Sequence, residues 1–440
     1  MNVKHLRLSL LALAVSVVAL WGDSAPAQAQ QMREELARLL TTHPQIAAAR
    51  KQKEAGIDRI DEAFSGFLPR ADVVGETGFE RAENNVTRAQ GEPFSGRRDR
   101  LRLSVTQNLF NGFGDSARLQ AARHDAAVLD ARLTATKQSL LLEGIAAYLN
   151  ILRESQLIDI ARLNERNIQN RLRLEDERVR RGAGITVDVL QAKSRLQIAK
   201  ERRVAFEGRL RAAEAQYLQI FDRQPDATAM AAAPLLEVAV PANLEDTLAL
   251  AKANNPTTQA GDFTARANRE RRTAAKSEYY PTLDLVGEIE YEGNANGTDG
   301  NDETYGVFVR GRWEFFSGFK SRARIRAANR TYEASQRTLD FSHRKVAEEV
   351  RLSWESLTTQ RHRVTLLENA VRIAQEVLRA RRRLRRAGKE TALNVLDAEG
   401  EVFNAQINFV EALFDSRVAV FRVIRSSGML NEKTLGLENG

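Results

Sequence analysis

The chain has 440 residues, with 66 Lys and Arg against 58 Asp and Glu, a net charge of +8, no cysteine and 6% aromatic residues. The missing cysteine excludes disulfides, thiolate metal sites and lipid attachment at an N-terminal cysteine. Low aromatic content and only nine prolines predict long helices rather than the two or three globular domains that this length ordinarily suggests. A basic excess in charge-mixed helical sequence reads as a solvated surface before it reads as a nucleic-acid site.

At the start, Lys4 and Arg7 precede an apolar run over 8–20 and Ala-x-Ala choices at Ala25 to Ala27 or Ala27 to Ala29. This pattern predicts a secretory leader over residues 1–29 and an exported mature chain. No later apolar run is long enough to cross a membrane as a helix, so a later membrane segment would have to be a barrel strand.

The remainder is a duplication. FLPRADVVGETGFE, LSVTQNLFNGFGDSARLQAAR and RRGAGITVDVLQA return as YYPTLDLVGEIEYE, VRGRWEFFSGFKSRARIRAAN and RRAGKETALNVLDA. Pro69 matches Pro281, Gly112 matches Gly318, Gly182 matches Gly388, and Val189-Leu190 matches Val395-Leu396. Repetition on this scale is an architecture. It gives a first repeat over 30–222, a linker over 223–254, a second repeat over 255–428 and a tail over 429–440.

In chain order, each repeat opens with a short helix, about 35–66 and then 257–279, with His43-Pro44 and Asn255-Pro256 near the helix starts. Two strands follow in each, predicted over 68–84 and 97–110, then 281–292 and 303–316. Their apolar and polar residues alternate: Leu101, Leu103, Val105 and Leu109 oppose Arg102, Ser104 and Thr106; Leu283, Leu285, Ile289 and Tyr291 oppose Asp284, Glu288 and Glu290. Tyr305, Val307, Val309, Trp313 and Phe315 make a fourth such face, and the strand near Val73 to Phe79 is the weakest. An ordinary half-buried sheet shares this alternation. The long polar loops ENNVTRAQGEPFSG and GNANGTDGNDE favour a membrane barrel instead. Four strands cannot close a barrel in lipid, which tolerates no open edge, whereas three copies supply twelve.

A long helical hairpin ends each repeat, over 114–222 and 319–427. The outgoing helices are predicted from Gly114 to about Arg181 and from Phe319 to about Arg386, each on the order of 100 Å long. Val350, Leu357, Val364, Val371 and Leu378 recur at sevens, as do Leu396, Phe403 and Val410, which predicts coiled-coil packing. Each hairpin turns at a short glycine link.

The doubled strand-strand-helix-helix layout, the QNLFNGFG and EFFSGF turns and the segment RAGKETALNVLDAEGEVFNAQINFVEAL resemble the TolC family of outer-membrane channel proteins over essentially the whole mature chain. The resemblance implies a mainly α protein. Its long antiparallel coiled-coil helices would form an α-barrel, and four strands per chain would contribute to a shared trimeric twelve-stranded barrel in the outer membrane of a Gram-negative bacterium. It implies a homotrimer in outer-membrane lipid that meets a periplasmic adaptor (membrane fusion) protein and an inner-membrane transporter, passes an exported protein or small-molecule substrate, and needs no cofactor, metal or nucleic acid. The QNLFNGFGDSARLQAAR junction resembles channels of type I protein secretion more than those of multidrug efflux pumps.

The same resemblance puts the periplasmic aperture at Asp188 and Gln191 in the first hairpin and Asn394 and Asp397 in the second. Asn394 stands where the family pattern often has an acid, which argues against a strong acidic ring; Asp188 and Asn394 also suit helix starts, where they would be caps. Adaptor-docking tips correspond to Gly182, Ala183, Gly184, Ile185 and Thr186, and to Ala387, Gly388, Lys389, Glu390 and Thr391. Ala387 replaces the family's usual valine. The lipid-facing row is Leu101, Leu103, Val105, Leu283, Leu285, Ile289, Tyr305, Val307, Val309 and Trp313. The run RARRRLRR over 379–386 is expected as a solvated surface paired with Glu175, Asp176 and Glu177 rather than as an anion filter.

No enzymatic reading assembles: the five histidines lack metal-ligand spacing, and no phosphate-binding loop or nucleophile elbow is present. The alternative of another class is a periplasmic adaptor or structural coiled-coil protein, which would not place amphipathic strands before each of two hairpins.

Overall fold

A computed structural model describes residues 24–182, 185–226, 230, 238–294 and 300–437. The expected leader over 1–29 lies outside the described residues as far as residue 23. The chain divides within its long helices into two compact units: Ala49–Leu133 with Thr257–Ser342, and Thr134–Pro256 with His343–Gly440 and the segment ending at Ala48. No described helix is long and apolar enough to cross a membrane.

The unit containing Ala49–Leu133 holds the sheet. Its antiparallel order is β1 (Arg70–Ala82), β2 (Phe94–Phe110), β3 (Thr282–Gly293) and β4 (Asn301–Arg312), so the two halves of the duplication join along β2 and β3. The sheet begins after α2 (Pro44–Phe64) in the first repeat and α7 (Pro256–Lys276) in the second, each closed by a three-residue 3₁₀ turn. The strand bounds shift by up to four residues from those expected, and the two largest shifts have plain causes. β4 stops at Arg312 instead of 316, because its last partner is Thr282 and the next residue toward the N-terminus of β3, Pro281, has no N–H to offer a ladder. β2 starts at Phe94 instead of 97, since Phe94 still pairs with Ala82. The segment expected as a polar loop contains a one-turn helix, α3 (Asn85–Gln90), started by Asn84, whose Oδ1 accepts from the Thr87 N–H at 3.1 Å.

Each long helix starts on a left-handed pair: Gly112 and Phe113 have φ of 64° and 64°, and Gly318 and Phe319 have 63° and 66°. A Cβ on Gly112 would sit 2.8 Å from the Ser277 carbonyl oxygen and from Tyr280, so both space and dihedral require glycine there. The helices are α4 (Gly114–Arg180) and α8 (Lys320–Arg386), 67 residues each, unbroken by proline. They return as α5 (Thr186–Phe221) and α9 (Ala392–Ser426). α8 ends in a Schellman turn: the Lys389 N–H donates to the Leu384 carbonyl at 2.9 Å, and Gly388 adopts φ 73°.

The other unit packs the hairpins and the chain's first described helix, α1 (Ser24–Thr42). The expected single helix over 35–66 breaks at His43, whose Nδ1 accepts from the Gln45 N–H at 3.2 Å, and restarts at Pro44, where a missing N–H costs nothing. The expected linker over 223–254 contains α6 (Leu244–Asn254), whose Asn243 cap accepts from the Asp246 N–H at 2.8 Å. The heptad rows supply the core: Val350, Leu357 and Leu378 of α8 and Leu396, Phe403, Val410 and Ile424 of α9 are buried, as are Leu140, Ile145, Tyr148 and Tyr217. The tail folds back, with Leu430 and Leu435 buried and the Gly428 carbonyl accepting from Gln138 Nε2 at 2.8 Å.

Candidate functional site: the sheet faces and the hairpin tips

The register sorts the strands into two unlike faces. Leu101 stands between Gly75 and Tyr291, Leu103 between Val73 and Ile289, Leu285 opposite Val309, and Ile289 opposite Tyr305. Leu101, Leu103, Val105, Leu283, Leu285, Ile289, Tyr305, Val307 and Val309 thus share one face, and all are exposed. Trp313 does not belong to it. It lies past the end of β4, where its indole Nε1 donates to the Tyr279 carbonyl at 3.2 Å.

The opposite face is charged and internally paired. Arg98 bridges Glu80 and Glu292 at 3.1 Å each, Arg102 reaches Glu290 at 2.8 Å, and Arg310 reaches Glu288 at 3.0 Å. An apolar, solvent-exposed face backed by a salt-bridged polar one is the inverse of a soluble sheet packed on a core and the arrangement of a barrel wall between lipid and water.

Sequence reasoning named Trp313 and Phe315 among the aromatics near the strand ends. Phe113, Tyr279, Tyr280, Phe316 and Phe319 are also exposed, with Phe110–Phe113 and Phe316–Phe319 stacked edge to face at 5.6 and 5.7 Å. The signal was present in the duplicated NLFNGF and EFFSGF turns. Among these, Trp313, Tyr279 and Tyr280 carry the amphipathic rings that gather at the level of a membrane interface.

At the hairpin tips, Asp188 occupies the first turn of α5, whose N-cap Ile185 offers no side-chain cap. Asn394 occupies the first turn of α9: its N–H donates to Thr391 Oγ1 at 3.2 Å, and its side-chain amide donates to Glu390. That amide, with the Thr391 N–H, holds the Glu390 carboxyl below its usual value. Thr391 is the cap, and Asn394 is a turn residue fixed by it. Gly182, Ile185, Thr186, Ala387, Gly388, Lys389 and Glu390 lie in or beside the two turns; Ala183 and Gly184 fall outside the described residues.

Asp397 is tied to the other hairpin by an ion pair with Arg195. Seven residues on, Arg202 Nη1 donates to Asn404 at 2.9 Å, and seven further Arg209 reaches Glu411 at 3.2 Å. Each pair spans the same 202 residues, so α5 and α9 run parallel with a heptad ladder between them. Gln191 lines a cleft of about 470 Å³ beside this ladder, with Arg195, Leu396, Glu399 and Phe403. Glu399, buried to 6% exposure, accepts from Arg171 of α4 at 2.6 Å and from Arg382 of α8 at 2.7 Å. Arg385 pairs with Glu175 at 3.1 Å, whereas Asp176 and Glu177 pair within their own helix with Arg180 and Arg181. The arginine run is therefore partly a cross-hairpin clasp. Neither Arg195 nor Glu399 was identifiable from the sequence, because Arg195 acts through Asp397, 202 residues away, and Glu399 joins Arg382 to Arg171, 228 residues away.

The outer membrane efflux protein family model matches residues 36–220 and 247–428, one match per repeat. The outer membrane efflux protein BepC of Brucella suis is 25% identical over 97% of this chain and 92% of its own. The alkaline protease secretion protein AprF of Pseudomonas aeruginosa is 26% identical over 90% of this chain and 84% of its own. The crystal structure of the outer membrane protein VceC of Vibrio cholerae superposes with a TM-score of 0.79 at 16% identity, covering 91% of this chain and 96% of that one, and so shares its fold. Both halves of the duplication thus lead to one conclusion: the chain belongs to the outer membrane efflux protein family, the TolC-type channels of the bacterial outer membrane, which transport and do not catalyse.

Proposed function

We propose that three copies of this chain close one twelve-stranded barrel, and that the channel is the outer-membrane outlet of a type I protein secretion system. The observation that carries the barrel is the sheet itself: apolar outward on one face, ion-paired on the other, and with β1 and β4 each paired along one side only. In lipid each unpaired edge leaves a row of N–H and C=O groups unsatisfied, at several kcal/mol apiece, so β4 of one copy must meet β1 of the next.

The ion-paired face then lines a water-filled passage for exported substrate. The apolar row from Leu101 to Val309 faces lipid, with the aromatic cluster at its interface. Asp188, Gln191, Asn394 and Asp397 form the periplasmic aperture, and the turns at Gly182 and Gly388 meet a periplasmic adaptor joined to an inner-membrane transporter. Protein secretion is favoured by the similarity to AprF, named for protease secretion, and by the absence of a cysteine for lipid attachment. Drug efflux is the second reading, supported by the similarity to BepC. Deleting the gene separates them: loss of a large protein from the culture medium with unchanged drug susceptibility supports the secretion outlet, and the converse supports efflux.

A further inference from the structure

The duplication extends from sequence to hydrogen-bonded register. Pro69 and Pro281 make β3 the counterpart of β1, and Gly112 and Gly318 make β4 the counterpart of β2. At those offsets the β1–β2 ladder maps onto the β3–β4 ladder residue for residue. Val73 pairs with Leu103, and their counterparts Leu285 and Val309 pair with each other; the ladders also start at counterpart pairs, Arg70 with Thr106 and Thr282 with Arg312. On its other side β2 has β3. The counterpart of that junction is β4 against β1, which no single chain contains.

The two halves of the sheet differ in one respect. β2 continues past Thr106, its last residue opposite β1, through Gln107, Asn108 and Phe110, which pair with Leu285, Asp284 and Leu283 of β3. β4 stops at Arg312, although Trp313 and Phe316 are the counterparts of Gln107 and Phe110. Beyond that stop the side chains already sit alike. Gln107 Nε2 donates to the Phe67 carbonyl at 3.0 Å, and Trp313 Nε1 donates to the carbonyl of its counterpart, Tyr279, at 3.2 Å. The edge-to-face pairs Phe110–Phe113 and Phe316–Phe319 match in the same way. Residues 313–316 thus keep the side-chain contacts of a strand end and lack the neighbouring strand.

We infer that β4 of one copy joins β1 of the next in the register that β2 keeps with β3, and that this junction lengthens β4 to Phe316. The inference rests on the trimer proposed above and assigns its seam residue by residue. Arg310 stands opposite Glu76 of the next copy, as Ser104 stands opposite Glu288. Val309 meets Thr77 of the next copy, as Leu103 meets Ile289, and Trp313 meets Val73 of the next copy, as Gln107 meets Leu285. A slip of two residues would keep the apolar face outward, so the repeat, and not the alternation, selects the register. The charged face gains partners at this seam. Among the described residues, Glu76 and Arg312 are exposed and form no ion pair. In this register Arg312 lies diagonal to Glu76 and Asp72 of the next copy, within reach of a long side chain. It is also the cation beside the one like-charged pair in the ladder, Glu314 with Asp72 of the next copy.

Because the chain has no cysteine, introduced pairs read the seam directly. Opposite residues bring their Cα atoms to about 4.5–5.5 Å, within the span of a disulfide, and a slip of two residues takes them beyond about 7 Å, outside it. The full-length chain is extracted as the assembled particle in mild detergent, oxidised with copper phenanthroline, denatured and run on non-reducing gels. Val309→Cys with Thr77→Cys, and on the charged face Arg310→Cys with Glu76→Cys, are expected to give covalent dimers and trimers. Trp313→Cys with Val73→Cys should do the same, since Trp313 then lies in the lengthened strand. Val309→Cys with Gly75→Cys, or with Phe79→Cys, reports the neighbouring registers and should cross-link about tenfold less or not at all. A shifted pair that links as strongly as Val309 with Thr77, or no linkage at any pair in a particle of trimeric mass, overturns the register. Linkage at Thr77 without linkage at Val73 overturns the lengthening of β4. The mass of the unmodified particle is measured first, and a single-chain mass would sink the trimer reading and the seam with it.

Discussion

Glu399 is where one charge holds three helices. Its carboxylate is 6% exposed and takes guanidinium hydrogen bonds from α4 and α8 while belonging to α9. Removing one partner of a fully buried ion pair costs about 3–5 kcal/mol, and an exposed pair is worth about 0–1 kcal/mol. The side chains of Arg171 and Arg382 are 25% and 44% exposed, so water reaches both once the carboxylate is gone. An intermediate cost of about 2 kcal/mol follows for Glu399→Gln, which keeps the shape and places an amide donor against two other donors. The loss is local to the hairpin ends, where trypsin has many arginines to cut. If cleavage tracks the population of the opened tip, that cost raises the rate by about 30-fold. Glu401→Gln, two residues away and exposed, removes the same formal charge and should leave cleavage unchanged. A rate for Glu399→Gln within about twofold of the Glu401→Gln rate would refute the reasoning.

Asp397→Ala with Asn394→Ala removes one end of the α5–α9 ladder and the amide that fixes Glu390, while the buried heptad row stays intact; single-channel conductance in a planar bilayer should rise, and Arg195→Gln should reproduce part of the effect. Unchanged conductance would assign both residues to turn structure alone. On the sheet, Val307→Arg should cost about 2–4 kcal/mol if it lies near the bilayer midplane, whereas Arg310→Gln on the charged face should be tolerated; heat-modifiable mobility of the oligomer on gels reads the difference, and equal tolerance would return the sheet to a soluble protein. Burial pushes the Tyr148 and Tyr217 hydroxyls up to about 12. A group raised above its unfolded value near 10 contributes fully below that pH and loses its contribution as pH rises toward 12, by about 1 kcal/mol per tyrosine at pH 11. The melting temperature should therefore fall between about pH 9 and pH 11, and less steeply in Tyr148→Phe, whose lost hydroxyl is buried without a partner.

The long-range plan was legible because it is periodic. Val350, Leu357 and Leu378 repeat at sevens and are buried, and Val307 and Val309 alternate with Phe308 and Arg310 across a strand. Periodicity says which face of an element is apolar but not what that face meets. Trp313 continues the alternation of β4, yet the ladder ends at Arg312 because the facing strand ends at Pro281. The one-turn helix α3 depends on reciprocal bonds between Asn84 and Thr87, which a polar Asn/Gly-rich segment does not announce. The tips were the least legible. Asp397 stands out by motif, but its partner Arg195 and the three-helix role of Glu399 follow from packing one hairpin on the other, and no local pattern encodes that.

The central claim is that three chains close a barrel which one chain leaves open, and the native mass of the particle extracted in mild detergent tests it most directly. The account predicts three times the mass of a single mature chain, with strand content retained in the circular dichroism spectrum. A particle of single-chain mass that keeps its strand content would show that β1 and β4 are satisfied without a neighbour, and would contradict it.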